Sequence, residues 1–157
     1  MKTLVVIRHA EAGQAERDFD RPLTDYGKAQ AASTAAQLSE ILEVDYMVVS
    51  PALRTRETAA YLIDSLSLTE SQYSYERKVY EAGVQDLFDL ISSFPDEVDT
   101  AVLLGHNPSV SSLVSSITDS YEGFSTGCAI VLQIKSNDWA GVLHCGAVRL
   151  HKILPHI

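Results

Sequence analysis

Three short segments of this chain, Leu4-Val5-Val6-Ile7, Tyr46-Met47-Val48-Val49 and Ala101-Val102-Leu103-Leu104, are hydrophobic without interruption. A strand with one wet face alternates apolar and polar residues, because successive side chains point to opposite sides of the sheet. Uninterrupted runs predict strands buried on both faces, the environment of parallel strands covered by helices on each side. Each run is followed at once by polar, reactive residues: Arg8-His9, then Ser50 to Arg54, then Gly105-His106-Asn107.

Helical patterns separate these strands. Ala31, Ala35, Leu38 and Leu42 form one apolar stripe, with Thr24 as the expected N-cap and Asp25 in the first turn, where a negative charge suits the helix dipole. Ala59, Leu62, Ile63 and Leu66 form a second, in a helix that Ser50 is expected to cap with Pro51 at its first position. Val84, Leu87, Phe88 and Ile91 give a third, and Val110, Leu113, Val114 and Ile117 a fourth, after Pro108. Near the end, Ala129 to Ile134 and Val142 to Leu150 flank Asn137 to Gly141 and predict an antiparallel hairpin at one edge of the sheet. The expected fold is a three-layer α/β/α sandwich, with a mostly parallel sheet and an antiparallel edge hairpin. Residues 1–157 are read as one domain, and Ser115 to Gly127 as a polar connection.

A hydrophobic fraction of 46% over 157 residues supplies a core without disulfides or structural metals. Cys128 and Cys145 have no metal-ligand spacing and are expected to be reduced core residues. A net charge of -9 argues against a sequence-independent nucleic-acid binder, which needs an extended basic face. The first apolar run is too short for a signal peptide, and no stretch is long enough to span a bilayer, so a cytoplasmic protein is expected. Against the acidic background, Arg8, Arg17, Arg21, Arg54 and Arg56 all fall in the first 56 residues.

In an open parallel sheet, the carboxyl ends of neighbouring strands lie side by side and ligands bind in the crevice beyond them. Arg8, His9, Arg54 and His106 are thereby expected on one rim. The helix opened by Asn107-Pro108 is expected to turn free amide donors and its positive end towards the same crevice. Two guanidinium groups beside these donors match a tetrahedral oxyanion, most plainly a phosphoryl group. Two histidines there fit a nucleophilic imidazole, His9, and a cationic partner, His106, that stabilises the transferring group. A hydrogen bond to a backbone carbonyl is expected to hold the second ring nitrogen of His9. His144, His151 and His156 lack close ligand spacing, which makes a metal site the weaker reading.

The segment Val6-Ile7-Arg8-His9-Ala10-Glu11 resembles the Arg-His-Gly signature of the histidine phosphatase superfamily, the phosphoglycerate mutase-like proteins, with Ala10 in place of the usual glycine. Ser50-Pro51-Ala52-Leu53-Arg54-Thr55-Arg56-Glu57-Thr58-Ala59 resembles its second motif, and Leu104-Gly105-His106-Asn107-Pro108 its third, in the same order. Arg21-Pro22-Leu23-Thr24 and the short chain are most similar to the SixA-type phosphohistidine phosphatases. The resemblance implies that His9 is the nucleophile, that Arg8, Arg54 and His106 complete the phosphate pocket with Asn107, and that Arg21 contributes to it. Glu81 falls where many relatives carry an acidic proton donor; the alternative is a glutamate on a solvated loop. No metal or organic cofactor is implied. The implied partner is a phosphohistidine-bearing protein, with small phosphate esters also admitted by an open pocket and neither nucleic acid nor membrane expected. A phosphatase of small phosphorylated metabolites and a non-catalytic phosphohistidine-binding module are the alternatives, and the loop Gly13 to Arg21 is a candidate partner-selecting surface.

Overall fold

The computed structural model describes the backbone of residues 1–157 and every side chain except that of residue 143. The chain runs β1 (Lys2–Arg8), α1 (Asp25–Ile41), β2 (Tyr46–Val49), α2 (Leu53–Ser65), β3 (Tyr73–Tyr75), α3 (Arg77–Tyr80), α4 (Val84–Ser92), β4 (Thr100–Gly105), α5 (Ser109–Thr118), β5 (Ala129–Ile134), α6 (Val142–Cys145) and β6 (Ala147–Ile153). The strands form one sheet in the order β3-β2-β4-β1-β5-β6. The first four of these pair in parallel, while β5 and β6 are antiparallel to their neighbours.

The three uninterrupted apolar runs are β1, β2 and β4, side by side in the middle of the sheet. Their side chains divide between two cores as the pleat requires. Leu4, Val6, Val48, Ala101 and Leu103 pack with Leu87 and Ile91 of α4 and Leu113 and Val114 of α5. Val5, Ile7, Met47, Val49, Val102 and Leu104 pack with Ala35 and Leu38 of α1 and Ala59 and Leu62 of α2. Helices on both faces make the expected three-layer sandwich, and among the described residues no helix is long and apolar enough to cross a membrane.

Local details depart from expectation. α2 begins at Leu53 rather than Pro51, because the Ser50 amide donates to the Leu104 carbonyl (3.1 Å) and extends the sheet by one residue. The second edge strand begins at Ala147, not Val142. Trp139 is fully buried with its indole N–H on the Val98 carbonyl (2.7 Å), and the chain leaves it through the α6 turn before pairing again. Cys128 is buried as expected, whereas Cys145 lies exposed at the end of that turn. Ser115 to Gly127 is more than a connection: its first residues complete α5, and Phe124 is buried in the core.

The segment that follows the first motif is held against the start of α1. Thr24 caps the helix through Oγ1, which accepts from the Gly27 amide (2.9 Å), while the Thr24 amide donates to the Glu11 carbonyl (3.0 Å). Gln30 Oε1 accepts from the Glu11 amide (2.8 Å). The backbones approach so closely that a Cβ on Gly27 would lie 2.1 Å from the Glu11 carbonyl oxygen. Gly27→Ala must therefore move backbone rather than a flexible side chain. It is expected to cost about 1–3 kcal/mol in urea denaturation, the range for overpacking a tight contact. An unchanged midpoint would show that this contact is not tight.

Candidate active site

The site is built where the parallel ladder runs out. Arg8 pairs with Gly105 in the β1/β4 register. One residue further, the His9 amide donates to the Gly105 carbonyl (3.1 Å), as the Ser50 amide does to Leu104. The three motif segments are thus joined by backbone hydrogen bonds before any side chain is considered. The His9 and His106 rings come to a centroid separation of 5.2 Å, and Tyr80 packs edge-on against His106 at 5.6 Å.

His9 is 8% exposed, and its Nδ1 lies 2.7 Å from its neighbour's carbonyl oxygen, Ala10 O. A carbonyl only accepts, so Nδ1 carries the proton and Nε2 keeps its lone pair. Burial pushes His9 down to about 4; the bond to Ala10 opposes this shift, and the charges of Arg54, Arg8 and Arg21 reinforce it. The ring is a neutral imidazole at pH 7, as a nucleophile must be.

Two arginines flank the rings. Arg8 Nη1 donates to the Phe124 carbonyl (2.9 Å), which also accepts from Asn107 Nδ2 (3.1 Å). Arg54 is 6% exposed, and both its terminal nitrogens bind Asp18: Nη1 the carbonyl (2.8 Å) and Nη2 the carboxylate Oδ2 (3.0 Å). Thr58 Oγ1 donates to the Arg54 carbonyl (2.7 Å) and accepts from the Ala10 amide (3.1 Å), tying the second motif to the first. Ala10 is buried against Leu23 and Ala31.

Buried polar atoms in folded proteins nearly always have partners, so exceptions point to function. Among the described residues the unpartnered buried side-chain atoms are Arg8 Nε, Arg54 Nε, His106 Nδ1 and Asn107 Oδ1. All four belong to residues named from the sequence. Arg21 stands at the rim, with Nε on the Gly13 carbonyl (2.8 Å) and Nη1 on Asp18 Oδ1 (3.2 Å). Glu81 is not gathered in: its carboxylate is exposed and pairs with Arg77 (3.4 Å).

One expectation needs revision and three residues are additions. His106 was expected as a cation, but burial, followed by the charges of His9 and Arg54, lowers it to about 3, so the free site holds it neutral. Asp18 links Arg54, Arg21 and Tyr80, whose hydroxyl donates to Oδ2 (2.8 Å); that bond above all, with Arg54 and Arg21, lowers Asp18 to about 2. Tyr80 and Phe124 complete the surroundings. Only the position of Asp18 three residues before Arg21 hinted at its place, since a carboxylate in a charged loop ordinarily reads as solvated. Among the described residues no three His, Cys, Asp or Glu side chains gather as metal ligands.

The model of the histidine phosphatase superfamily, branch 1, matches residues 4–107. The chain belongs to this superfamily. Among solved structures similar to this phosphatase is a candidate phosphohistidine phosphatase SixA from Nakamurella multipartitia, 29% identical, with a TM-score of 0.88 over 98% of this chain and 96% of that one. A protein histidine phosphatase SixA complexed with tungstate shares the fold, with a TM-score of 0.84 at 23% identity over 98% of this chain and 97% of the other. An uncharacterised chloroplastic protein of Arabidopsis thaliana is 28% identical over 88% of this chain and 69% of its own length.

The two lowered imidazoles make the phosphatase's stability depend on pH. An unfolded histidine binds a proton near 6.5, whereas His9 and His106 do so only near 4 and 3. Between about 6.5 and 4 the unfolded chain therefore holds more protons than the folded one, and stability falls as pH falls through that window. Urea midpoints measured from pH 7 to pH 4 should decline, and less steeply in a His9→Gln, His106→Gln double variant. Equal slopes would mean that the rings are not held neutral by the fold.

Proposed function

We propose that this phosphatase removes phosphoryl groups from phosphohistidine in proteins, through a covalent phospho-His9 intermediate. The observation that carries this reading is the coincidence of a neutral, Nδ1-protonated His9 with unpartnered nitrogens on Arg8, Arg54 and His106 around it. The Nε2 lone pair of His9 attacks phosphorus in line, and the bond from phosphorus to the substrate imidazole breaks. With its other nitrogen already protonated, that imidazole leaves neutral. Water then attacks phospho-His9; the P–N bond breaks, His9 recovers its lone pair, and the proton released by water stays with phosphate. Arg8, Arg54 and His106 hold the equatorial oxygens throughout, with Asn107 beside them and Arg21 at the mouth.

Likeness to the SixA-designated Nakamurella protein over nearly the whole of both chains favours the phosphohistidine substrate. Glu81 serves as proton donor only by giving up its ion pair with Arg77, and a protonated phosphoimidazole leaves without that help. The test uses a protein labelled with 32P on histidine, quenched in alkali, where phosphohistidine survives. Wild type should carry transient acid-labile label on His9, and His9→Ala should carry none, with turnover reduced on the order of a thousandfold or more. A side-by-side comparison with sugar phosphates should give the higher kcat/KM for the phosphoprotein. The reverse order would assign the site to small phosphate esters, and binding without label would make it a recognition module.

A further inference from the structure

Ser50 is fully buried at the end of β2, and its Oγ lies 2.7 Å from His106 Nε2. A hydroxyl and an imidazole nitrogen can share a proton either way, so neighbouring groups must decide the direction. The Ala52 amide approaches the same Oγ at 3.4 Å, an N–H that can only donate. Among the described residues the Ser50 hydroxyl makes no other hydrogen bond. If His106 carried its proton on Nε2, that hydroxyl would face two donors and its own proton would be buried without a partner. The opposite arrangement satisfies Ser50 completely: it accepts from Ala52 and donates to Nε2. A neutral ring must then carry its proton on Nδ1, the atom that has no partner in the protein.

We propose that Ser50 is a positioning residue that donates its hydroxyl proton to His106 Nε2, holds the ring as the Nδ1–H tautomer, and so presents a neutral N–H donor to the transferring phosphoryl group. The other tautomer would turn a lone pair towards phosphoryl oxygens and repel them. The low affinity of this buried ring for a second proton agrees with a neutral donor whose form must be set by a partner. The catalytic consequence rests on the phosphohistidine reading above, whereas the tautomer does not.

The experiment records long-range 1H–15N spectra of the imidazoles at neutral pH, with His106 assigned by its loss in His106→Gln. Wild type is expected to show the Nδ1–H form, and saturating inorganic phosphate to move that proton downfield. Ser50→Ala should shift the ring towards Nε2–H and lower kcat about tenfold or more, with a smaller change in KM, the pattern for a donor that acts mainly in the transition state. Ser50→Thr, which keeps the hydroxyl, should return both. An Nε2–H ring in wild type, an unmoved proton on phosphate binding, or Ser50→Ala with an unchanged kcat would each overturn the proposal; the first two need no variant at position 50. A wild type with the Nδ1–H form but no turnover of any phosphorylated substrate would overturn the phosphotransfer reading and leave the Ser50 hydrogen bond assigned.

Discussion

Hydrogen bonds from His9 to Gly105 and from Ser50 to Leu104 carry the parallel ladder one residue past the regular strands, and every pocket side chain depends on them. Parallel pairing needs long crossover connections, so residues far apart in the chain meet only where adjacent strands end together. The ladder works because β1, β2 and β4 are apolar on both faces and have a single register that buries all of them. A slip of one residue would exchange their two cores and move the motifs relative to one another. The strength of the central sheet and the precision of the site therefore have a common origin.

The pocket is cationic in an acidic protein. Arg8, Arg54 and Arg21 converge where desolvation would make uncompensated charge costly, and Asp18 relieves part of that cost by engaging Arg54 and Arg21 together. Arg54 is 7% exposed and Asp18 54% by side chain, so the carboxylate reaches the arginine from the solvent side. Burial, reinforced by the same positive surroundings, keeps both imidazoles neutral. Neutrality fits the nucleophilic role proposed for His9 and lets His106 act through a hydrogen bond rather than a charge.

Legibility in the sequence followed the range of the interactions involved. Continuous apolar runs identified the central strands because burial on both faces leaves no position for a polar residue. The stripe from Ala31 to Leu38 and the cap at Thr24 are local patterns, and they survive in α1. Ser50 misled as a helix cap because serine before proline carries the same local signal whether or not a helix starts at once; its hydroxyl meets His106, from the end of another strand, as well as the Ala52 amide, and α2 starts only at Leu53. Trp139 concealed the true start of β6, since its burial against Val98 is a contact across 41 residues. Glu81 and Asp18 show the same limit: in the sequence both are acidic residues in loops, yet one pairs outward with Arg77 and the other with Arg54.

The sequence by itself determined the layered α/β architecture, the family through three ordered motifs, and the identities of Arg8, His9, Arg54 and His106 as one set. Those properties are written in residue type and spacing, which need no coordinates. Only the tertiary structure decided which nitrogen of each imidazole carries a proton, that His106 is neutral in the free site, and that Asp18 and Ser50 stand beside the pocket. Protonation and tautomer depend on burial and on hydrogen-bond partners a few ångströms away, and folding supplies these partners from distant parts of the chain.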